Sequence, residues 1–189
     1  PFNFSQIKVL ATKPFKLPQN LTSKDYLLHI GAFTLQQKRQ DLLIKAFALS
    51  KLKCKLVLLG KGKDEEKILD LIKKHGVTNQ VVLAGFQANP FPWIKHARLF
   101  VLSSDYEGFG NVLIEAMALG TPALSTDCPS GPREIFINDM EDSLVKCGDA
   151  KALAEKMREF YTKPPNINKE NLRRFEATTI TKKYINLIP

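Results

Sequence analysis

This sequence predicts an α/β fold built on a parallel sheet of about six strands flanked by helices, and three observations carry that prediction. From residue 26 onward, short apolar runs of strand length alternate with longer segments of helical periodicity. The runs are apolar throughout, not at every second position, as expected for strands buried on both faces. Glycines recur directly after these runs, where the backbone must turn or approach a neighbour closely.

Taken in order, residues 26–31 (YLLHIG) read as the first strand. Residues 38–51 read as an amphipathic helix with Leu42, Leu43, Ala46, Phe47 and Leu49 on its apolar side. Residues 55–60 (KLVLLG) form a second strand and 63–75 a helix with its stripe at Ile68, Leu71 and Ile72. A third strand at 81–85 (VVLAG) leads, through a loop rich in Asn, Pro and aromatics, to a fourth at 98–104 (RLFVLSS). Residues 109–119 follow as a helix, 121–126 as a fifth strand, 131–136 as a helix opening with Pro132, and 143–148 as a sixth strand. Asp149 caps a last helix of this region at 149–161, which ends before the Lys163, Pro164, Pro165 break. The implied organisation is an irregular lead-in or linker over 1–25, marked by Pro14, Pro18 and the polar stretch 19–24, then the α/β domain over 26–163. The tail, 164–189, is expected to fold as one or two helices over 171–187.

Composition excludes several classes. With 44% apolar and 25% charged residues, 10 Gly and 11 Pro in 189 residues, the chain is neither disordered nor collagen-like. No apolar run approaches the roughly 20 residues that span a bilayer. The first residues lack the basic and apolar regions of a secretory signal, and a start at Pro1 without Met suggests a fragment. Three widely spaced cysteines, Cys54, Cys128 and Cys147, suit neither a disulfide framework nor a zinc site, so a reducing cytosol is the expected home. Lys and Arg exceed Asp and Glu, 28 against 19, giving +9. The basic residues are scattered along the chain, and no RRM, KH or helix-turn-helix pattern accompanies them, so nucleic acid is not an expected partner.

Ligands of an open parallel sheet bind beyond the carboxyl ends of its strands. The loops expected there hold Gly31, the pair Gly60 and Gly62, Gly85, and Gly108 with Gly110. The richest segment is residues 103–122, SSDYEGFGNVLIEAMALGTP. Its helix is apolar almost all round and Glu115 is its single charge, so a buried carboxylate needing a polar partner is expected there. Glu107 precedes the same helix, and the free amides of 108–111 make its N-terminus an anion site. Phosphate on the amides with sugar hydroxyls on the two carboxylates suits a sugar nucleotide.

The run from Glu107 through seven residues to Glu115, inside EGFGNVLIEAMALGTP, resembles the E-x7-E signature of retaining GT-B glycosyltransferases, most closely the family 4 type. HIGAF with KRQDLLIKAF, LVLLGKGKDEEKI, VVLAGFQANPFPWIKHARLFVLSSDYEGFG and ALGTPALSTDCPSGPREI continue the resemblance in the same order. It implies a Rossmann-like sheet, the C-terminal donor-binding half of a GT-B fold, with the tail crossing back towards an acceptor-binding half. Such a half alone binds donor without turnover. The implied reaction moves a sugar from a nucleoside diphosphate, a UDP-sugar ahead of a GDP-sugar, to a glycan or lipid-linked acceptor in polysaccharide or lipopolysaccharide biosynthesis. The anomeric configuration is retained.

Carried over by motif, Glu107 faces the donor sugar hydroxyls and Lys38 offsets the diphosphate charge as the leaving group departs; these two are the expected catalytic residues. Gly31 allows close approach, Gly108, Phe109, Gly110 and Asn111 contact sugar and phosphate, Glu115 holds the ribose, and Phe86 and Gln87 meet the base. No metal and no cofactor is implied, and no DxD motif stands in the sequence. The resemblance allows, without requiring, peripheral association with the cytoplasmic face of a membrane. One departure is Ala32, where the family often has Arg; Arg39 or another cation then compensates, or diphosphate binding is weaker. His29, His75 and His96 read as structural. A sugar-nucleotide epimerase and a non-catalytic nucleotide-binding module remain alternative functions, whereas the lack of G-x-G-x-x-G after the first strand opposes a dinucleotide dehydrogenase.

Overall fold

The computed structural model describes residues 1–185. Leu187, the expected end of the tail helix, lies outside the described residues. Among the described residues there are six strands: β1 (Tyr26–Ile30), β2 (Lys55–Leu59), β3 (Val81–Gly85), β4 (Leu99–Leu102), β5 (Ala123–Thr126) and β6 (Leu144–Val145). All pair in parallel, in the order β3-β2-β1-β4-β5-β6. The Rossmann-like expectation therefore holds, although β6 shrinks to two residues of the six expected.

The apolar strand runs have a direct cause in packing. Successive residues of a strand point to opposite faces, and here Leu27, Leu56, Leu58, Leu99 and Val101 enter one core layer. Leu28, Val57, Leu59, Phe100 and Leu102 enter the other. The first layer is closed by α3 (Gln40–Ser50), α4 (Glu65–Lys74) and α8 (Ala150–Thr162), the second chiefly by α5 (Phe91–His96) and α6 (Asn111–Ala118). Asp149 caps α8 as expected, accepting from the amides of Lys151 and Ala152.

Two segments depart from the sequence reading. The lead-in contains a helix, α1 (Phe4–Leu10), whose cap Asn3 accepts from the amide of Gln6. A one-turn helix, α2 (Leu35–Lys38), precedes α3, so the single helix expected over 38–51 is broken at Arg39. The remaining elements are α7 (Pro132–Ile135), a 3-10 turn at Asn138–Ser143, α9 (Lys169–Arg173) and α10 (Ala177–Ile185). Phe2 exchanges backbone hydrogen bonds with the tail, donating to Phe175 and accepting from Ala177, both at 2.8 Å, so the first residues and the tail lie side by side. All three cysteines are free thiols.

His29 sits inside β1, fully buried, its Nδ1 donating to the Val101 carbonyl at 3.0 Å. Burial pushes its pKa from 6.5 down to about 4. The neutral ring is thus the folded form. Its stabilisation is complete above the unfolded value of 6.5 and is lost as the pH falls towards about 4. The loss expected across that window is about 2–3 kcal/mol. Urea unfolding at pH 7 and pH 4.5 checks it: the His29→Asn variant should show a flatter profile over the same interval.

Candidate functional site

The strand order reverses between β1 and β4, which leaves a crevice at their carboxyl ends. The loops leaving those two ends carry Gly31, Lys38, Glu107 and Gly108. Lys38 closes the single turn of α2, and Arg39 then adopts the left-handed conformation at φ 50°. A non-glycine residue there needs compensation. The Arg39 guanidinium supplies it by holding both carboxylate oxygens of Asp41, at 3.0 and 3.1 Å, and reaching Asp105 in the β4 loop at 2.5 Å. Arg39 is thus already paired with two carboxylates, with two of its five N–H donors left over for a compensating role in place of Ala32.

Lys38 is equally engaged. Its Nζ donates to both oxygens of Glu107, at 2.8 and 2.9 Å, with the two side chains only 17% and 9% exposed. Ser104 Oγ donates to the same carboxylate at 2.6 Å, and Ser103 Oγ donates to the Lys38 carbonyl at 2.8 Å. The β1 and β4 loops are laced together at this point, and the Asp105 amide adds a bond to the Gln37 carbonyl at 2.9 Å. An ammonium has three donors and Glu107 takes two, so one N–H of Lys38 is left over for an anion.

Beyond Glu107 the chain runs through Gly108 and Phe109 to Gly110, whose φ of 84° turns it into α6. Phe109 is held from two sides. A Cβ on Gly131, after β5, would lie 2.1 Å from the Phe109 carbonyl oxygen, and the Phe109 ring meets Phe175 of the tail edge-on at 5.7 Å. Asn111 is exposed at the first position of α6, and no side chain caps that end. Its free amides and the helix dipole favour an anion.

Glu115 corrects an expectation. The apolar circumference of α6 suggested full burial beside a polar partner. Instead Leu113, Ile114, Ala116 and Met117 face the core while Glu115 is half-buried, and among the described residues its carboxylate has neither hydrogen bond nor ion pair. Burial holds its carboxyl above the usual carboxylate range.

Phe86 and Gln87 leave β3. Phe86 is 66% exposed, and the Gln87 side-chain amide donates to the Ala84 carbonyl at 2.7 Å. They border a cavity of about 420 Å³ together with Gly31, Ala32, Gly60 and Lys61. No hydrogen bond joins Phe86 or Gln87 to Glu107 or Glu115 among the described residues. Gly31 is the shared wall: it lines the cavity, and a Cβ placed on it would lie 3.4 Å from the Lys38 side chain. A slightly larger cavity, about 460 Å³, lies at the far end of α6 between α1 and α9 and touches none of the expected site residues.

Sequence reasoning missed Ser104, Asp105, Lys61 and Gly131. Ser104 and Asp105 stand directly after a strand, the position that marks binding loops in such sheets, so a signal existed. Gly131 showed only as a turn residue, because its contact with Phe109 joins the loops after two neighbouring strands, β4 and β5.

The family described as "Glycosyl transferases group 1" matches residues 12–179. An uncharacterized glycosyltransferase of Methanocaldococcus jannaschii is 37% identical over 147 residues, 75% of this chain and 36% of that protein. The N-acetylgalactosamine-N,N'-diacetylbacillosaminyl-diphospho-undecaprenol 4-alpha-N-acetylgalactosaminyltransferase of Campylobacter jejuni is 34% identical over 144 residues, 76% of this chain and 39% of that protein. The chain thus spans less than half the length of these relatives. Among solved structures, Anabaena HepE in complex with UDP and glucose superposes with a TM-score of 0.80 at 21% identity, over 99% of this chain and 55% of that one.

Proposed function

The chain belongs to the group 1 glycosyl transferase family, and on that premise we propose that it is the donor-binding half of a retaining GT-B enzyme of family 4 type. It moves a sugar from a nucleoside diphosphate, a UDP-sugar ahead of a GDP-sugar, to a glycan or lipid-linked acceptor. The Campylobacter relative, named for transfer to a diphospho-undecaprenol saccharide, supports the acceptor class. No helix among the described residues is long and apolar enough to cross a membrane. In this reading the acceptor is met by a part of the protein outside this chain, and the exposed Tyr184 and Ile185 of α10 are available for that part to cover.

In this reading the diphosphate lies between the third N–H of Lys38 and the amides at the start of α6. That placement stabilises charge as the leaving group departs. Glu107 accepts from a hydroxyl of the sugar with the one acceptor site that Lys38 and Ser104 leave, Phe109 and Asn111 border the sugar, and Phe86 and Gln87 border the base. The observation that carries the proposal is Glu115, a half-buried, unpartnered carboxylate one turn into a helix whose open N-terminus adjoins the Lys38–Glu107 pair. A ribose with two adjacent hydroxyls is the complement to such a group.

Calorimetric titration with UDP, GDP and ADP tests this. UDP should bind saturably, and Glu115→Ala should weaken it by about tenfold, the worth of a hydrogen bond to a charged group. The variant should keep or raise the unfolding midpoint, since an unpaired half-buried carboxylate is removed. The sign with pH follows from the raised pKa: the carboxylate that accepts from ribose exists above it and is lost as the pH falls through it. UDP affinity should therefore weaken on acidification sooner than for an ordinary carboxylate, while the same protonation favours the folded chain. Failure of all three nucleotides to bind would overturn the reading.

A further inference from the structure

The cavity bordered by Gly31 and Phe86 has one cation in its lining, Lys61. The nearby cations are ion-paired, Lys38 to Glu107 with one N–H to spare and Arg39 to Asp41 and Asp105. Lys61 has no carboxylate partner among the described residues. Its ammonium stands 5.5 Å from the centroid of the exposed Phe86 ring.

The backbone that carries Lys61 is held on both sides. Its carbonyl accepts from the Phe33 amide at 3.0 Å, and the Gly60 amide donates to the Gly85 carbonyl at 2.9 Å. Gly60 and Gly62 are pressed against the β1 loop so closely that a Cβ on either would lie 1.9 Å from the Gly31 oxygen or 2.5 Å from the Phe33 oxygen. A fixed root with an exposed head places a positive charge over the cavity at low entropic cost. An ammonium over an exposed ring is a weak contact. A charge-assisted hydrogen bond to a phosphate oxygen is stronger, so an anion entering the cavity draws the ammonium away and leaves the ring face open.

We propose that Lys61 is a diphosphate contact of this site, resting on Phe86 in the free chain and passing to the diphosphate when a nucleotide binds, so that Phe86 then packs against the base. The inference rests on reading the site as one for a nucleoside diphosphate. Titration of the chain with UDP and with uridine, each at low and high salt, tests it for wild type, Lys61→Met and Lys61→Arg. Lys61→Met should bind UDP about tenfold more weakly, with a shallower salt dependence and an unchanged unfolding midpoint. Uridine affinity should hold or rise in that variant, and Lys61→Arg should restore UDP binding. A Met variant that matches wild type for UDP, or that loses uridine and UDP equally, overturns the role of Lys61 while wild-type UDP binding keeps the site reading. A wild-type chain that binds none of UDP, GDP and ADP overturns both.

Discussion

Replacing Lys38 by methionine is expected to lower sugar transfer by the whole protein about a hundredfold or more, and to destabilise the fold by about 2–4 kcal/mol. The two effects have different origins. Glu107 is 9% exposed, and without Lys38 its carboxylate keeps only the Ser104 hydroxyl as a side-chain partner. An uncompensated charge held largely out of water accounts for the lost stability. The lost rate comes instead from the N–H that would face the diphosphate. The double variant Lys38→Met, Glu107→Gln separates the two, because a neutral amide no longer needs the ammonium. Urea unfolding should show most of the stability regained, and the transfer assay should show no recovery. Recovery of transfer along with stability would reduce the pair to a structural ion pair.

Gly60→Ala is expected to cost about 3 kcal/mol or more, from backbone strain and steric conflict together. Gly60 lies at φ 147°, and the added Cβ would meet the Gly31 carbonyl oxygen at 1.9 Å, a contact that only a shift of the β1 loop can relieve. Gly76→Ala is the matched control. Its φ of 68° is also positive, yet nothing lies within 4 Å of the added carbon, so only about 1–2 kcal/mol of backbone strain is expected. Chemical denaturation of the two variants side by side measures the difference. A Gly60→Ala chain that still folds should bind UDP more weakly, since Gly31 and Lys61 both move; equal stability of the two variants would show that the β1 and β2 loops are not packed as described.

Helix and strand legibility differed for physical reasons. Strands β1 to β5 were readable because burial on both faces demands continuous apolar runs, a signal contained in the local sequence. The two-residue β6 was overread, since SLVKCG has the composition of a longer strand while pairing with β5 involves only Leu144 and Val145. Helix α1 had a signal, Asn3 with Gln6 three residues on and Phe4, Ile7 and Leu10 at helical spacing, that the prolines after it obscured. The break at Arg39 had none. It depends on Asp105, 66 residues away, whose ion pair helps hold a left-handed arginine.

The same division runs through the candidate site. Spacing alone placed Glu107 and Glu115 around the start of one helix and Gly31 and Lys38 after one strand, because loops and helix ends are local. That Lys38 grips Glu107, that Arg39 is clamped between two aspartates, that Glu115 stands without a partner and that Lys61 overlooks the cavity were decided by tertiary structure. Each depends on which loops the strand order brings together. Side-chain ion pairs across 66 or 69 residues form only after that order is set. The sequence by itself determined the α/β class and the group 1 glycosyl transferase motifs, since both reside in local pattern. The assignment of charges to partners came only with the fold, since Coulomb attraction and hydrogen bonding act on distance in space.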